Sequence, residues 1–115
     1  MSPYEFDPKR SYCVQMWLDR VPGAAISADM LSPGRIAHFE EGSTQQTPAD
    51  RDWDVSLPSG RFCLILTWAQ KEERWFAVVW ADPDSETRAT VDEIVDRLVA
   101  RGGELIDRIP PRAAT

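Results

Sequence analysis

Apolar and polar residues alternate with a period of two along most of this chain, and one stretch near the C-terminus shifts to a period near 3.6. Ser11 to Val21 reads as a first strand, with Tyr12, Val14, Met16 and Leu18 on one side and Cys13, Gln15, Trp17 and Asp19 on the other. Pro22-Gly23 ends it. Ala24 to Leu31 has enough helical tendency for a single turn, closed by Ser32-Pro33-Gly34. Arg35 to Glu41 is a second strand, setting Ile36, His38 and Glu40 against Ala37, Phe39 and Glu41. Gly42 to Arg51 holds no bulky apolar residue and is expected to be a mobile loop. Asp52 to Leu57 resumes the alternation with Trp53, Val55 and Leu57 inward, a strand with one wet face.

The strongest signal is a hairpin. Arg61 to Ala69 and Arg74 to Ala81 are β-rich runs joined by the polar link Gln70-Lys71-Glu72-Glu73. Phe62, Leu64, Leu66 and Trp68 share one side of the first run, and Cys63, Ile65 and Thr67 the other. In the second run Phe76, Val78 and Trp80 oppose Trp75, Ala77 and Val79. Both sides of both runs are apolar, so these should be the central strands of the sheet. After Asp82-Pro83-Asp84-Ser85, Val91, Ile94, Val95, Leu98 and Val99 recur at the spacing of one helical stripe. Thr90-Val-Asp-Glu93 matches a capping box and suggests a helix start there, with Ser85 to Ala89 left open. Gly102-Gly103 supplies the stop. Glu104 to Ile109 is long enough for a short final strand.

These elements predict an α+β fold: a mostly antiparallel sheet of about five strands, curved or open, with one C-terminal amphipathic helix packed on one face. At 115 residues the chain fits one domain, 1–115, with an N-terminal arm (1–10), the loop 42–51 and a C-terminal tail (110–115). A single helix is too narrow to shield both faces of the central hairpin. The second face must then be covered by the arm, by curvature of the sheet into a half-barrel, by a second copy or by a partner.

Charge narrows the partner. Nineteen Asp and Glu against thirteen Lys and Arg give a formal net charge of -6. That surface repels phosphate backbones and anionic lipid, so neither nucleic acid nor membrane is expected as a partner. A cytoplasmic location is expected from the absence of a basic-then-apolar leader and from two cysteines, Cys13 and Cys63, placed inside apolar strands.

Candidate chemistry is sparse. No Gly-rich phosphate loop, Cys-x-x-Cys pair or His-Glu-x-x-His motif is present, so no cofactor and no metal is expected. Asp50, Asp52 and Asp54 have the opening spacing of a calcium loop. Val55 stands where the turn glycine belongs and Arg61 where the bidentate acid belongs, so that motif fails. His38, the sole histidine, falls in an edge strand, and its pairing with either thiol as a nucleophile is disfavoured. Glu72-Glu73 and Asp82, Asp84 and Glu86 lie in turns, where acids are usually solvated.

The compositional excess is five tryptophans. Trp serves both cores and the centres of interfaces. Trp53 is expected in the core. Trp17 and Trp75 have polar neighbours and are expected to be partly exposed on the face the helix leaves open. With Glu40, Glu41, Asp50, Asp52 and Asp54 as an acidic rim, they form the candidate partner-binding set. In size and charge alone the chain resembles bacterial toxin-neutralising immunity proteins and some secretion chaperones. The uncovered aromatic face and acidic rim point to a non-enzymatic binding module engaging a basic protein or a second copy of itself, and the resemblance implies an inhibitor or chaperone type. The alternative is a small-molecule-binding domain, enzymatic or not, with a Trp-lined pocket.

Overall fold

A computed structural model describes Phe6, Asp7, residues 9–19, 38–42 and 51–111, with backbone alone for 38–42, 51 and 52. Six strands and one helix lie among the described residues: β1 (Tyr12–Leu18), β2 (His38–Gly42), β3 (Arg51–Ser56), β4 (Arg61–Ala69), β5 (Arg74–Ala81), α1 (Ser85–Ala100) and β6 (Glu104–Ile109). Every pairing is antiparallel, in the order β2-β3-β4-β5-β1-β6. The final strand is therefore real and completes the sheet. Gly42 and Arg51, read as loop ends in the sequence, are strand ends; residues 43–50 and the helical turn at 24–31 lie outside the described residues.

The β4–β5 hairpin occupies the two central places, as its doubly apolar pattern requires. Ala69 pairs with Arg74 across the four-residue link, and Glu73 takes the positive φ of 54° that closes the turn. β5 and β6 both run antiparallel to β1, so they are parallel to each other with β1 inserted between them. A connection between parallel strands needs a crossover, and α1 is that crossover. This topology lays the helix over one face of the sheet.

That face is the core. Tyr12, Val14, Met16 and Leu18 align with Ala81, Val79, Ala77 and Trp75 of β5, and Phe62, Leu64 and Leu66 take the matching positions on β4. Trp53 and Val55 extend the same layer on β3, and Val91, Ile94, Val95 and Leu98 of α1 close it from above. Each such aliphatic side chain contributes roughly 1.5–3 kcal/mol when fully buried. The void between helix and sheet, lined by Phe62, Leu64, Val79, Val91 and Ile94, is about 10 Å³. That is at the lower limit for one water.

The helix starts two turns earlier than the Thr90 capping box suggests. Asp84 is the N-cap, its carboxylate accepting the Thr87 N–H at 2.8 Å. Thr90 is a buried mid-helix residue whose hydroxyl donates to the Glu86 carbonyl four residues back. A Thr hydroxyl can bond within the helix as well as cap it, which is why the motif misleads. The stop behaves as the sequence implies. Gly102 has φ +104°, its N–H donates to the Val99 carbonyl, and that of Gly103 donates to the Leu98 carbonyl. These two bonds make a Schellman motif.

Arg108 ties β6 to the helix. Its guanidinium donates to Asp92 and, at 3.0 Å, to Asp96, while Tyr12 donates its phenol proton to the same Asp92 carboxylate. Strand β1, strand β6 and the solvent flank of α1 are thus joined through one carboxylate.

Gly103 has no room for a side chain: a Cβ there would stand 2.9 Å from Leu18 Cδ2 and from the Leu98 carbonyl oxygen, and 3.1 Å from Met16 Cε. Gly103→Ala should lower unfolding free energy by about 1–3 kcal/mol in urea melts, as overpacking does. Asp84→Ala, which removes the cap, should cost about 1 kcal/mol. An unchanged urea midpoint for Gly103→Ala would refute the close approach of helix end to β1.

Candidate functional site

The face turned away from α1 is built from the alternate residues of the same strands. Its first row runs Ile109, Cys13, Trp80, Cys63 and Asp54, and its second Asp107, Gln15, Val78 and Ile65. The third is Glu104, Trp17, Phe76 and Thr67. The alternation that faces Val14 and Leu64 toward the helix turns these residues the other way. Gln15, Trp17, Ile65, Phe76, Val78 and Trp80 are all half-buried, and they occupy the middle of the sheet. Phe6, from the arm, is buried beneath the Arg61 guanidinium, which lies 4.8 Å from its ring.

The two cysteines flank Trp80, both opposite it in register and both buried. They are two strand spacings apart, about 9–10 Å. A disulfide needs Cα atoms within about 7 Å, so none can form between them in this fold. Burial, reinforced by the negative charge of Asp107, pushes the Cys13 thiol up to about 11. It is a packing group rather than a nucleophile. His38 pairs with Ser56 on the outermost strand, four strands from Cys13, which is about 19 Å.

Trp17 and Trp75 are both half-buried, yet they do not share a face. The β1–β5 register sets Trp17 opposite Phe76 and Leu18 opposite Trp75. Trp75 therefore belongs to the helix side, packed against the core, correcting its placement on the open face. What the two do share is one end of the sheet. On the open side Trp17 meets Phe76 at 5.4 Å between ring centroids. On the helix side Trp75 meets Trp68 edge-on at 5.2 Å, beyond the cover of the helix, and Trp68 stays 39% exposed.

Arg74 joins the open side of this end. Its guanidinium donates to Asp19 and to Glu104, each at 2.9 Å, and lies 5.8 Å from the centre of the Trp17 ring. The rest of the predicted acidic rim is more dispersed. Glu40 takes the register position opposite Asp54, Glu41 the one opposite Trp53, and Asp52 the one opposite Ile65. The neighbouring glutamates thus occupy alternate rows. Asp54 is half-buried beside Cys63, and Asp50 lies outside the described residues.

Asp19, Glu104 and Asp107 were not singled out in the sequence. Asp19 shares the Trp17 alternation and was visible there. Glu104 and Asp107 reach this face only because β6 pairs with β1 and bulges opposite Gln15 and Met16.

Two of the acids predicted in turns have structural roles. Asp82 accepts the Arg61 backbone N–H at 2.9 Å, and Asp84 caps the helix. Among the described residues no three His, Cys, Asp or Glu side chains converge as a metal-ligand set, and no helix is long and apolar enough to cross a membrane. No protein family, curated protein or solved structure matches the chain.

The thiols give a direct readout of this arrangement. At pH 8 neither should react with an aromatic disulfide reagent in the native protein, and both should react in denaturant. The raised Cys13 value also fixes a sign. The folded state holds this proton more tightly than the unfolded state. Its stabilising contribution is therefore full below about 9 and lost as pH rises toward about 11. Stability measured across that window should fall, and less steeply in Cys13→Ala. Rapid native labelling of both thiols would contradict the packed row.

Proposed function

We propose that this chain is a non-enzymatic protein-binding module that holds a basic partner on the sheet face opposite α1. The observation that carries this reading is a half-buried apolar field, Trp17, Phe76, Val78, Trp80 and Ile65, in the centre of a sheet whose only described helix lies on the other side. Apolar surface of that kind, with aromatics at its middle, is what an interface core is made from. Carboxylates flank it: Asp54 on one side, Asp107 and Glu104 on the other. With a net charge of -6, such a surface attracts a cationic protein and speeds its encounter. The same charge opposes self-association, because two copies would bring like signs together. An inhibitor-type or chaperone-type role fits this reading, since both need a binding face and no reaction centre.

The small-molecule alternative has less support. A metabolite site requires a few hundred Å³; among the described residues the gap between helix and sheet is about 10 Å³, and the open groove of about 560 Å³ along α1, lined by Ala89, Asp92, Glu93, Asp96, Arg97 and Ala100, holds no tryptophan.

Immobilised protein should retain basic proteins from a lysate, and raising salt from about 0.05 to 0.5 M should release them, because screening shortens the reach of surface charge to a few Å. The double variant Trp17→Ala, Gln15→Arg should lose them while keeping its far-UV circular dichroism. Identical retention by both forms, or retention of acidic proteins alone, would reject the reading.

A further inference from the structure

The end of the sheet formed by the last residues of β1 and the β4–β5 turn is unlike the rest of the molecule. Two aromatic pairs occupy it, one on each face: Trp17 with Phe76 and Trp68 with Trp75. Aromatic rings thus flank both faces of the sheet here, and Trp68 is open to water. Exposed Glu72 and Glu73 lie with Lys71 in the turn between Trp68 and Trp75, while exposed Asp19 and Glu104 lie with Arg74 on the open side. Arg74 is already neutralised by two of those carboxylates.

The protein's own arginines show what such rings accept. Arg61 lies on Phe6, Arg88 on Tyr12 at 4.9 Å, and Arg74 on Trp17. The Trp68–Trp75 pair has no guanidinium on it among the described residues, although it is the more exposed of the two aromatic pairs and adjoins the acidic turn. Indole faces attract cations through the ring quadrupole, and a planar, weakly hydrated guanidinium stacks there better than an ammonium. A carboxylate adds charge-assisted hydrogen bonds that arginine makes two at a time, and the turn joining Trp68 to Trp75 carries two exposed ones, Glu72 and Glu73.

We propose that this end, with Trp68 and Trp75 as its platform, recognises arginine side chains on the basic partner. The inference rests on the protein-binding reading above and adds to it the chemistry of the contact. Arginine, rather than positive charge in general, is the preferred group, and the platform lies on the helix side at the turn end of the central hairpin.

The test uses two decapeptides, (Arg-Gly)5 and (Lys-Gly)5, titrated into the full chain with tryptophan fluorescence and calorimetry as readouts. The arginine peptide should bind about fivefold more tightly than the lysine peptide, the advantage expected of a ring-stacked guanidinium. Trp68→Ala, a change at an exposed position, should abolish that preference. Glu86→Gln, at an exposed position in the first turn of α1 and at the opposite end of β5, should leave it intact. Equal affinity for the two peptides, or a preference that survives Trp68→Ala, would overturn the arginine platform without touching the wider reading. So would failure of both peptides to bind while basic proteins are still retained in the lysate experiment. Loss of both results would remove the parent reading as well.

Discussion

The β4–β5 hairpin carries apolar side chains on both of its surfaces, and the chain has one described helix with which to cover them. That inequality governs the molecule. On one side α1 seals Phe62, Leu64, Ala77 and Val79 to near-zero exposure, leaving a void of about one water. On the other, Trp80 shields two cysteines while Trp17, Ile65, Phe76 and Val78 stay half-buried. The driving force that orders the first layer is the same one that makes the second available to a partner.

The crossover geometry fixes where the helix can lie. Because β1 enters between β5 and β6, the connection from β5 to β6 must pass over it. The helix end comes so close to β1 that Gly103 has no space for a methyl group beside Leu18 and Met16. Arg108 and Tyr12, meeting on Asp92, hold the opposite flank. Helix position is thereby determined at its end and along its side, and the sheet end with Trp68 lies beyond its reach.

Much of this was legible in the residues. The alternation within β1, β3, β4 and β5 was correct side by side, because a period of two is a local property of extended backbone. The amphipathic stripe of α1 and its double-glycine stop were equally local. The helix start was ambiguous because Thr90-x-x-Glu93 has cap chemistry, while the true cap, Asp84, shows itself only through its bond to Thr87. The candidate site was legible in composition and not in arrangement. Trp17 and Trp75 were picked for their polar neighbours, and both are half-buried, yet they face opposite ways.

Sequence alone determined which residues of each strand share a side, where the central hairpin turns, and that one helix would leave a surface wanting cover. The tertiary structure decided how the sides of different strands match. It set Trp17 against Phe76, put Trp75 over the core, brought Glu104 and Asp107 beside β1, and kept β5 between Cys13 and Cys63. The physical reason is that alternation is imposed by each strand's own backbone. Register and strand order are instead imposed by the burial gained when distant strands align, a sum over pairs that no single stretch of chain contains.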